Sequence, residues 1–434
     1  MEKKKQIDCF LPYSTTAMMQ SLAAQLHESG VVKSIYTLSA DVPPTEALPQ
    51  YTYHLQAGSL LSLATMRLIA TTATADYALL YLKQGPVTLG YHALERMLQV
   101  AEETGAAMVY ADHYSVEAGE TVKHPVTAYQ LGSIRDDFDF GSVVLLKTEY
   151  LKEYAAKEVV KDYQFAGWYD LRLFLSREGE LFHLNEYLYT EEEDDLRASG
   201  EKQFDYVNPR NREVQIEMEQ AATAHLSAIK ALVDTTQYVQ PDFSGEAFPV
   251  EASVVIPVFN REKTVRDAVV SALSQKTDFP FNVIVVDNHS TDGTTEILSS
   301  LAADERLVHL IPTRTDLGIG GCWNYAINDT HCGRFAVQLD SDDLYSSENT
   351  LQAIVNAFHE QKAAMIVGSY RMCDFELNTL PPGLISHNEW TEDNGCNNAL
   401  RINGLGAPRA FFTPLVRQHQ FPNTSYGEDY AMGL

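Results

Sequence analysis

No stretch of the 434 residues approaches the ~20 consecutive apolar residues that a membrane span requires. The opening "MEKKKQIDCFLPY" is basic but has no apolar run behind it, so it does not read as a signal peptide. Cysteine is scarce. Cys9, Cys322, Cys332, Cys373 and Cys396 are scattered, odd in number and without CxxC spacing, which argues for reduced thiols and against a zinc site. Positive charge is scarce too: 32 basic against 59 acidic residues give a net charge of -27. A nucleic-acid binder shows a basic face, and this balance argues against one. An acidic enzyme that handles phosphates needs a cation to bridge the charges. The expectation is a cytoplasmic protein without a transmembrane segment, free to work as a peripheral partner at the inner membrane face.

What is present is an ordinary globular balance, 45 % apolar and 21 % charged, in a chain long enough for two or three cores. The stretch "TTQYVQPDFSGEAFPVEA" has Pro, Gly and Ser and no periodicity, so it reads as a linker. The expected division is a first domain over 1–240, a linker over 241–250 and a second domain over 251–434. The first domain closes on a long helix in "NREVQIEMEQAATAHLSAIKALVD". After the linker, apolar runs such as "SVVIPVF", "FNVIVVD" and "RFAVQLD" alternate with helical patterns such as "TLQAIVNAFHEQ". That order implies a doubly wound, mostly parallel α/β sheet, which binds ligands beyond the carboxyl ends of its strands.

The first half repeats the plan faintly. "CFLPY" echoes "VVIPVF", "AAMVYADHY" echoes "AAMIVGSYR", and "DYALLYLKQG" lies on "RFAVQLDSDD". In the last overlay Leu82, Lys83, Gln84 and Gly85 take the places of Asp340, Ser341, Asp342 and Asp343. Two tandem domains of one fold are therefore expected, the carboxylates surviving only in the second. Chance likeness between two α/β domains is the competing explanation.

Three acidic side chains, Asp340, Asp342 and Asp343, crowd the end of an apolar strand. Strand side chains alternate, so an Asp-x-Asp points two carboxylates the same way, and a divalent cation would offset their repulsion. An Asx-turn before a helix near Ser346 is the plainer alternative. Asp287 ends a second apolar strand and suits a ribose or base contact, or simply starts a turn with Asp292 as a cap. Gly318, Gly320 and Gly321 precede a helix, where glycines admit close backbone approach to a ligand or merely make the turn. Glu428 and Asp429 start a closing helical pattern, either as dipole partners or as a general base, which must be ionised and within reach of its proton.

Together these segments resemble the glycosyltransferase family 2 enzymes with the GT-A fold. The resemblance runs through "SVVIPVFNREKTVRDAVVSALSQ", "VIVVDNHSTDGT", "DLGIGGCWNYAI", "FAVQLDSDDLY", "GLGAPRAFF" and "GEDYAMGL", from about Glu251 to the last residue. It implies a metal-dependent, inverting transfer of a hexosyl or N-acetylhexosaminyl group from a nucleotide sugar, a UDP-sugar above all. The implied acceptor is a hydroxyl of a glycan or a lipid-linked glycan, in surface polysaccharide synthesis. The implied donor-binding residues are Pro257, Phe259, Asn260, Glu262, Asp287, Gly318, Asn324, Asp340 and Ser341. Asp340, Asp342 and Asp343 are implied to hold Mn²⁺ or Mg²⁺, and Asp429, with Glu428, to act as the base. The chain departs from the pattern at Asn288 and His289, and at Cys322 and Trp323 before Asn324, where an Arg is usual. It also stops five residues after Asp429, so the second domain is expected to be truncated. In the first domain "FAGWYDLRL" sets Trp168 and Tyr169 where Glu428 and Asp429 stand, which implies a degenerate, non-catalytic copy.

A second reading is a non-catalytic nucleotide-sugar or glycan-binding subunit of a polysaccharide assembly system. A nucleotidyltransferase is a third, weakened because "IPVFNREKT" lacks the glycines of that signature. His387, Glu389 and Trp390 fall in a long segment where acceptor contacts would lie, although an ordinary loop is the simpler reading.

Overall fold

A computed structural model of the chain describes residues 5–40, 49–117, 119–159, 161–192, 211–386, 390–391, 393–402 and 405–434. It divides into two compact units, Met1–Leu232 with Thr391–Ile402, and Val233–Trp390 with Asn403–Leu434. No described helix is long and apolar enough to cross a membrane. His387 and Glu389 lie outside the described residues, and Trp390 is half-buried.

The first unit contributes β1 (Ile7–Pro12), α1 (Thr16–Glu28), β2 (Val32–Ser39), β3 (Thr52–Gln56), α2 (Leu63–Thr72), β4 (Tyr77–Tyr81), β5 (Val87–Leu89), α3 (Ala93–Thr104), β6 (Met108–Glu117), β7 (Glu120–His124), β8 (Val143–Lys147), α4 (Thr148–Ala156), α5 (Gly167–Glu178), β9 (Leu181–Glu192) and α6 (Arg212–Ala228). The second contributes β10 (Ala252–Val258), α7 (Val265–Leu273), β11 (Phe281–Asp287), α8 (Thr294–Leu301), β12 (Leu307–Leu310), α9 (Ile319–Ile327), β13 (Phe335–Gln338), α10 (Thr350–Gln361), β14 (Met365–Val367), β15 (Tyr370–Cys373) and β16 (Thr379–Ile385). The chain then lays the turn α11 (Asn398–Arg401) into the first unit and completes the second with β17 (Arg409–Phe412), α12 (Thr413–His419) and α13 (Glu428–Gly433).

The second unit is a six-stranded sheet in the order β12-β11-β10-β13-β17-β14. The first four strands are parallel, and β17 runs antiparallel to both of its neighbours. Period-two alternation divides β10 between two cores. Val254, Ile256 and Val258 pack with α7, α8 and α10, while Val255 packs with α9 and α12. The sheet is thus covered by helices on both faces, the doubly wound arrangement expected from the βαβα order. The stretch expected as a linker is anchored at Phe243, whose ring meets Phe335 and Phe412 at 5.1 and 5.0 Å. The helix expected near Ser346 begins at Thr350, because Ser347 and Thr350 bond each other in a turn first.

The first unit repeats this topology. Its sheet runs β3-β2-β1-β4-β8-β6 and continues with β9 and β5. The same four strands are parallel, and β8 is antiparallel to β4 and β6. The sequence echoes fall on matching strands and in register: Cys9 pairs with Leu79 as Val254 pairs with Val337. Chance likeness does not account for equal strand order, direction and register.

Helix α6 seals the first unit with Ala221, Ala222 and Leu226. His225 is buried beside them, its Nδ1 2.8 Å from Arg177 Nη1. Burial, reinforced by the Arg177 charge, pushes the imidazole down to about 4. Segment 391–402 is tied into the same unit by the fully buried Arg401, which pairs with Asp136 and donates to Asn398 Oδ1 at 2.6 Å.

In the second unit, three glycines at the head of α9 allow one close approach. A Cβ on Gly318 would sit 2.5 Å from the Thr424 carbonyl carbon, one on Gly320 1.9 Å from the Pro422 oxygen, and one on Gly321 2.2 Å from Asn423 Oδ1. The backbone is fastened there by Gly318 N–H to Asn423 Oδ1 (2.8 Å) and Gly320 N–H to Thr424 O (3.0 Å). Asn324 completes the seam by both donating to and accepting from the Phe421 backbone at 2.8 Å. The glycines therefore receive segment 421–424 of the chain itself, which leads directly into α13.

Two outcomes follow from this packing. As pH falls from 6.5 to 4, the unfolded imidazole of residue 225 takes up a proton that the folded one refuses, so the first unit should lose up to about 3 kcal/mol. Urea titrations across that window should show the loss, and His225→Gln should flatten it. Gly320→Ala should lower stability by about 1–3 kcal/mol, since overpacking against a carbonyl outweighs the gain in helix propensity of about 1. Gly245→Ala, whose Cβ would meet only ordinary contacts, is the control for the same thermal melts.

Candidate active site

An open cleft of about 240 Å³ lies at the carboxyl ends of β10 and β13. It is lined by Pro257 and Arg261, by Ile319, Trp323 and Phe421, and by Gln338, Asp340, Ser341 and Asp342. Arg409 and Phe411 from β17 and Glu428 and Asp429 from α13 complete the lining. Two acidic elements almost ninety residues apart in sequence thus share one cavity, as the doubly wound sheet dictates for its strand ends.

The carboxylates press on one another. Burial first, then the charges of Asp342 and Asp429, hold Asp340 above the usual carboxylate range, although Gln338 and Arg409 oppose the shift. Asp343 keeps a solvent-facing side, yet crowding of its carboxyl and the charges of Asp340 and Asp342 push it up to about 6. Glu428 is buried, its Oε2 has no hydrogen-bond partner among the described residues, and burial together with Asp429 and Asp340 raises its carboxyl. A divalent cation would relieve this excess of negative charge. Among the described residues no three His, Cys, Asp or Glu side chains form a ligand set by themselves. Asp340 and Asp342 face the cleft, and one or two carboxylates are the protein's usual share when phosphates complete the shell.

The other expected residues hold the frame. Asp287 is fully buried: Oδ1 accepts from Ser290 N–H at 3.0 Å and Oδ2 from Thr295 Oγ1 at 2.6 Å. Burial raises its carboxyl, but these bonds and His309 outweigh that and hold it low. Asn260 accepts from Thr291 N–H at 2.7 Å, and Glu262 N–H donates to Asp292 at 3.1 Å, which staples the β10–α7 loop to the β11–α8 loop. Phe259 is exposed beside them. Neither Gly318 nor Asn324 lines the cleft; both belong to the seam with segment 421–424.

Arg261, Arg409 and Gln338 line the cleft without being marked by any sequence motif. Arg261 stands with Nε 3.6 Å from Asp342 Oδ2. Arg409 pairs with Asp429 Oδ2 at 2.5 Å and donates through Nε to Gln338 Oε1 at 3.0 Å, while Gln338 Nε2 donates to Asp340 Oδ1 at 2.9 Å. The signal was one arginine in the otherwise apolar "PRAFF", the strand next to the acidic one.

Residues 253–413 match the family model of glycosyl transferase family 2. An uncharacterized glycosyltransferase of Haemophilus influenzae is 28% identical over 128 residues, 30% of this chain and 50% of that protein. TuaG of Bacillus subtilis, a glycosyltransferase whose name assigns it provisionally to teichuronic acid biosynthesis, is 26% identical over 183 residues, 42% of this chain and 70% of TuaG. Residues 1–349 of Staphylococcus aureus TarS superpose in part, with a TM-score of 0.34, 22% identity, and coverage of 42% of this chain and 53% of that one. The chain spans half the length of the first relative, and the family match ends before Glu428 and Asp429. Through the domain at 253–413 the chain is similar to glycosyl transferase family 2.

Proposed function

We propose that the second unit transfers a hexosyl or N-acetylhexosaminyl group from a nucleotide diphosphate sugar, a UDP-sugar in the first instance, to an acceptor hydroxyl, with inversion. The observation that carries this reading is the shared cleft, where the strand-end Asp340 and Asp342 meet Glu428 and Asp429 from α13. A role in surface polysaccharide synthesis is supported by TuaG and by the O-antigen chain rhamnosyltransferase WbaN of Salmonella anatum, 24% identical over 116 residues.

Asp340 and Asp342, with Asp343 beside them, would hold Mn²⁺ or Mg²⁺, which when bound neutralises charge on a departing diphosphate. Of the two acids on α13, Asp429 is the better base. Its side chain is one-third exposed, whereas Glu428 is buried with its carboxyl held high. Asp429 takes the proton of the acceptor hydroxyl. The acceptor oxygen bonds to the anomeric carbon as the bond from that carbon to the diphosphate oxygen breaks. Attack opposite the leaving group inverts the configuration. Trp323, Phe411 and Phe421 give the cleft an apolar side suited to excluding water. The first unit carries Leu82 and Tyr169 where Asp340 and Asp429 stand, and we assign it no catalysis.

Calorimetry with UDP and Mn²⁺ tests the donor half. Asp342→Ala should abolish Mn²⁺-dependent UDP binding with an unchanged melting temperature, and unchanged affinity would remove the metal role. Turnover tests the base. Asp429→Asn should keep UDP binding and lose at least about a hundredfold in kcat, the scale of a lost general base; transfer at the parental rate would rule Asp429 out.

A further inference from the structure

We propose that Arg409 is a positioning residue that holds Asp429 and, through Gln338, Asp340 in one fixed register; this rests on Asp429 being the base. Arg409 is buried and spends its fork in three directions. Nη2 meets Asp429 Oδ2 at 2.5 Å, Nε meets Gln338 Oε1 at 3.0 Å, and Nη1 donates to the Leu405 carbonyl. A planar guanidinium can do this; a lysine ammonium on a flexible stem cannot hold the same three. Gln338 is buried as well. Its amide turns an acceptor to Arg409 and a donor to Asp340, so the two carboxylates at opposite ends of the chain of bonds are joined through neutral and positive groups only. A glutamate at 338 would set a further negative charge against Asp340.

The first unit shows that the strands do not need this network. Leu80 pairs with Val144 between β4 and β8. In the shared register these two stand where Gln338 and Arg409 stand, one step beyond the Val337–Ala410 pair. In the sequence overlay Asp340 is matched by Leu82 and Asp429 by Tyr169. All four polar residues are replaced together, and the same strand pair closes on Leu80 and Val144 in an apolar core. The four positions change as a set between two copies of one topology, which supports the proposal that they work together.

The test uses the full chain, UDP with Mn²⁺ for binding, and UDP release from UDP-glucose and UDP-N-acetylglucosamine for turnover. Arg409→Gln should lower kcat at least about tenfold while the donor KM and UDP affinity stay within about threefold. Combined with Asp429→Asn, it should cost nothing beyond Asp429→Asn alone, because one acts through the other. The pair Gln338→Leu with Arg409→Val copies the first unit at the strand pair alone; it strips Asp340 and Asp429 of their partners and should lower the melting temperature as well as turnover. A crystal structure of Arg409→Gln should show the Asp429 carboxylate turned out of its parental place. An unmoved Asp429, or additive losses in the double variant, would overturn the positioning role. Full turnover in Arg409→Gln beside a dead Asp429→Asn overturns it too and leaves the base reading standing. Full turnover in Asp429→Asn overturns both.

Discussion

Carboxylates gathered in a half-buried cleft repel one another, and the second unit is organised around offsetting that repulsion. Asp340, Asp342, Asp343, Glu428 and Asp429 crowd the ends of β13 and α13. Two arginines answer them from within the chain, Arg261 at Asp342 and Arg409 at Asp429. Burial first, and then the neighbouring charges, hold the carboxyls of Asp340, Asp343 and Glu428 above their ordinary range. Such an arrangement costs stability and makes sense where a cation and a diphosphate complete it.

The rest of the unit delivers those groups to one place. The parallel strands put Pro257 and Asp340 at the same edge, and the loop staples among Asn260, Glu262 and Asp292 fix the wall that carries Arg261. The glycines of α9 bring segment 421–424 within backbone contact, and that contact sets where α13 begins. A methyl group at Gly320 is therefore felt at Glu428, whose Cβ is 3.0 Å from the position it would take.

Most of the fold was legible because apolar periodicity encodes it directly. "TLQAIVNAFHEQ" is α10 from end to end, and the three faint echoes fall on matching strands of the two sheets. The cleft was legible in part. Asp340, Ser341, Asp342, Glu428 and Asp429 reach it, because strand ends and helix starts announce themselves in sequence. The glycines of "DLGIGG" do not, because close approach to one's own backbone and close approach to a ligand ask for the same residue. Asp287 ends an apolar strand like Asp340, but its neighbours Ser290 and Thr295 turn it inward. Arg409 marks itself only as a lone arginine in the apolar "PRAFF"; its meaning lies in partners that only the sheet brings near, Gln338 being 71 positions away. The pairing of β13 with β17 creates that contact, and no local pattern records it.

Everything proposed for the second unit rests on this cleft taking a nucleotide diphosphate together with a divalent cation. Crystals of the full chain soaked with UDP and Mn²⁺, measured at a wavelength where manganese scatters anomalously, test it most directly. One anomalous peak is expected beside Asp340 and Asp342, with the diphosphate against it and Asp429 across the cleft. UDP bound elsewhere, or bound in the cleft with no anomalous peak at these carboxylates, would contradict it.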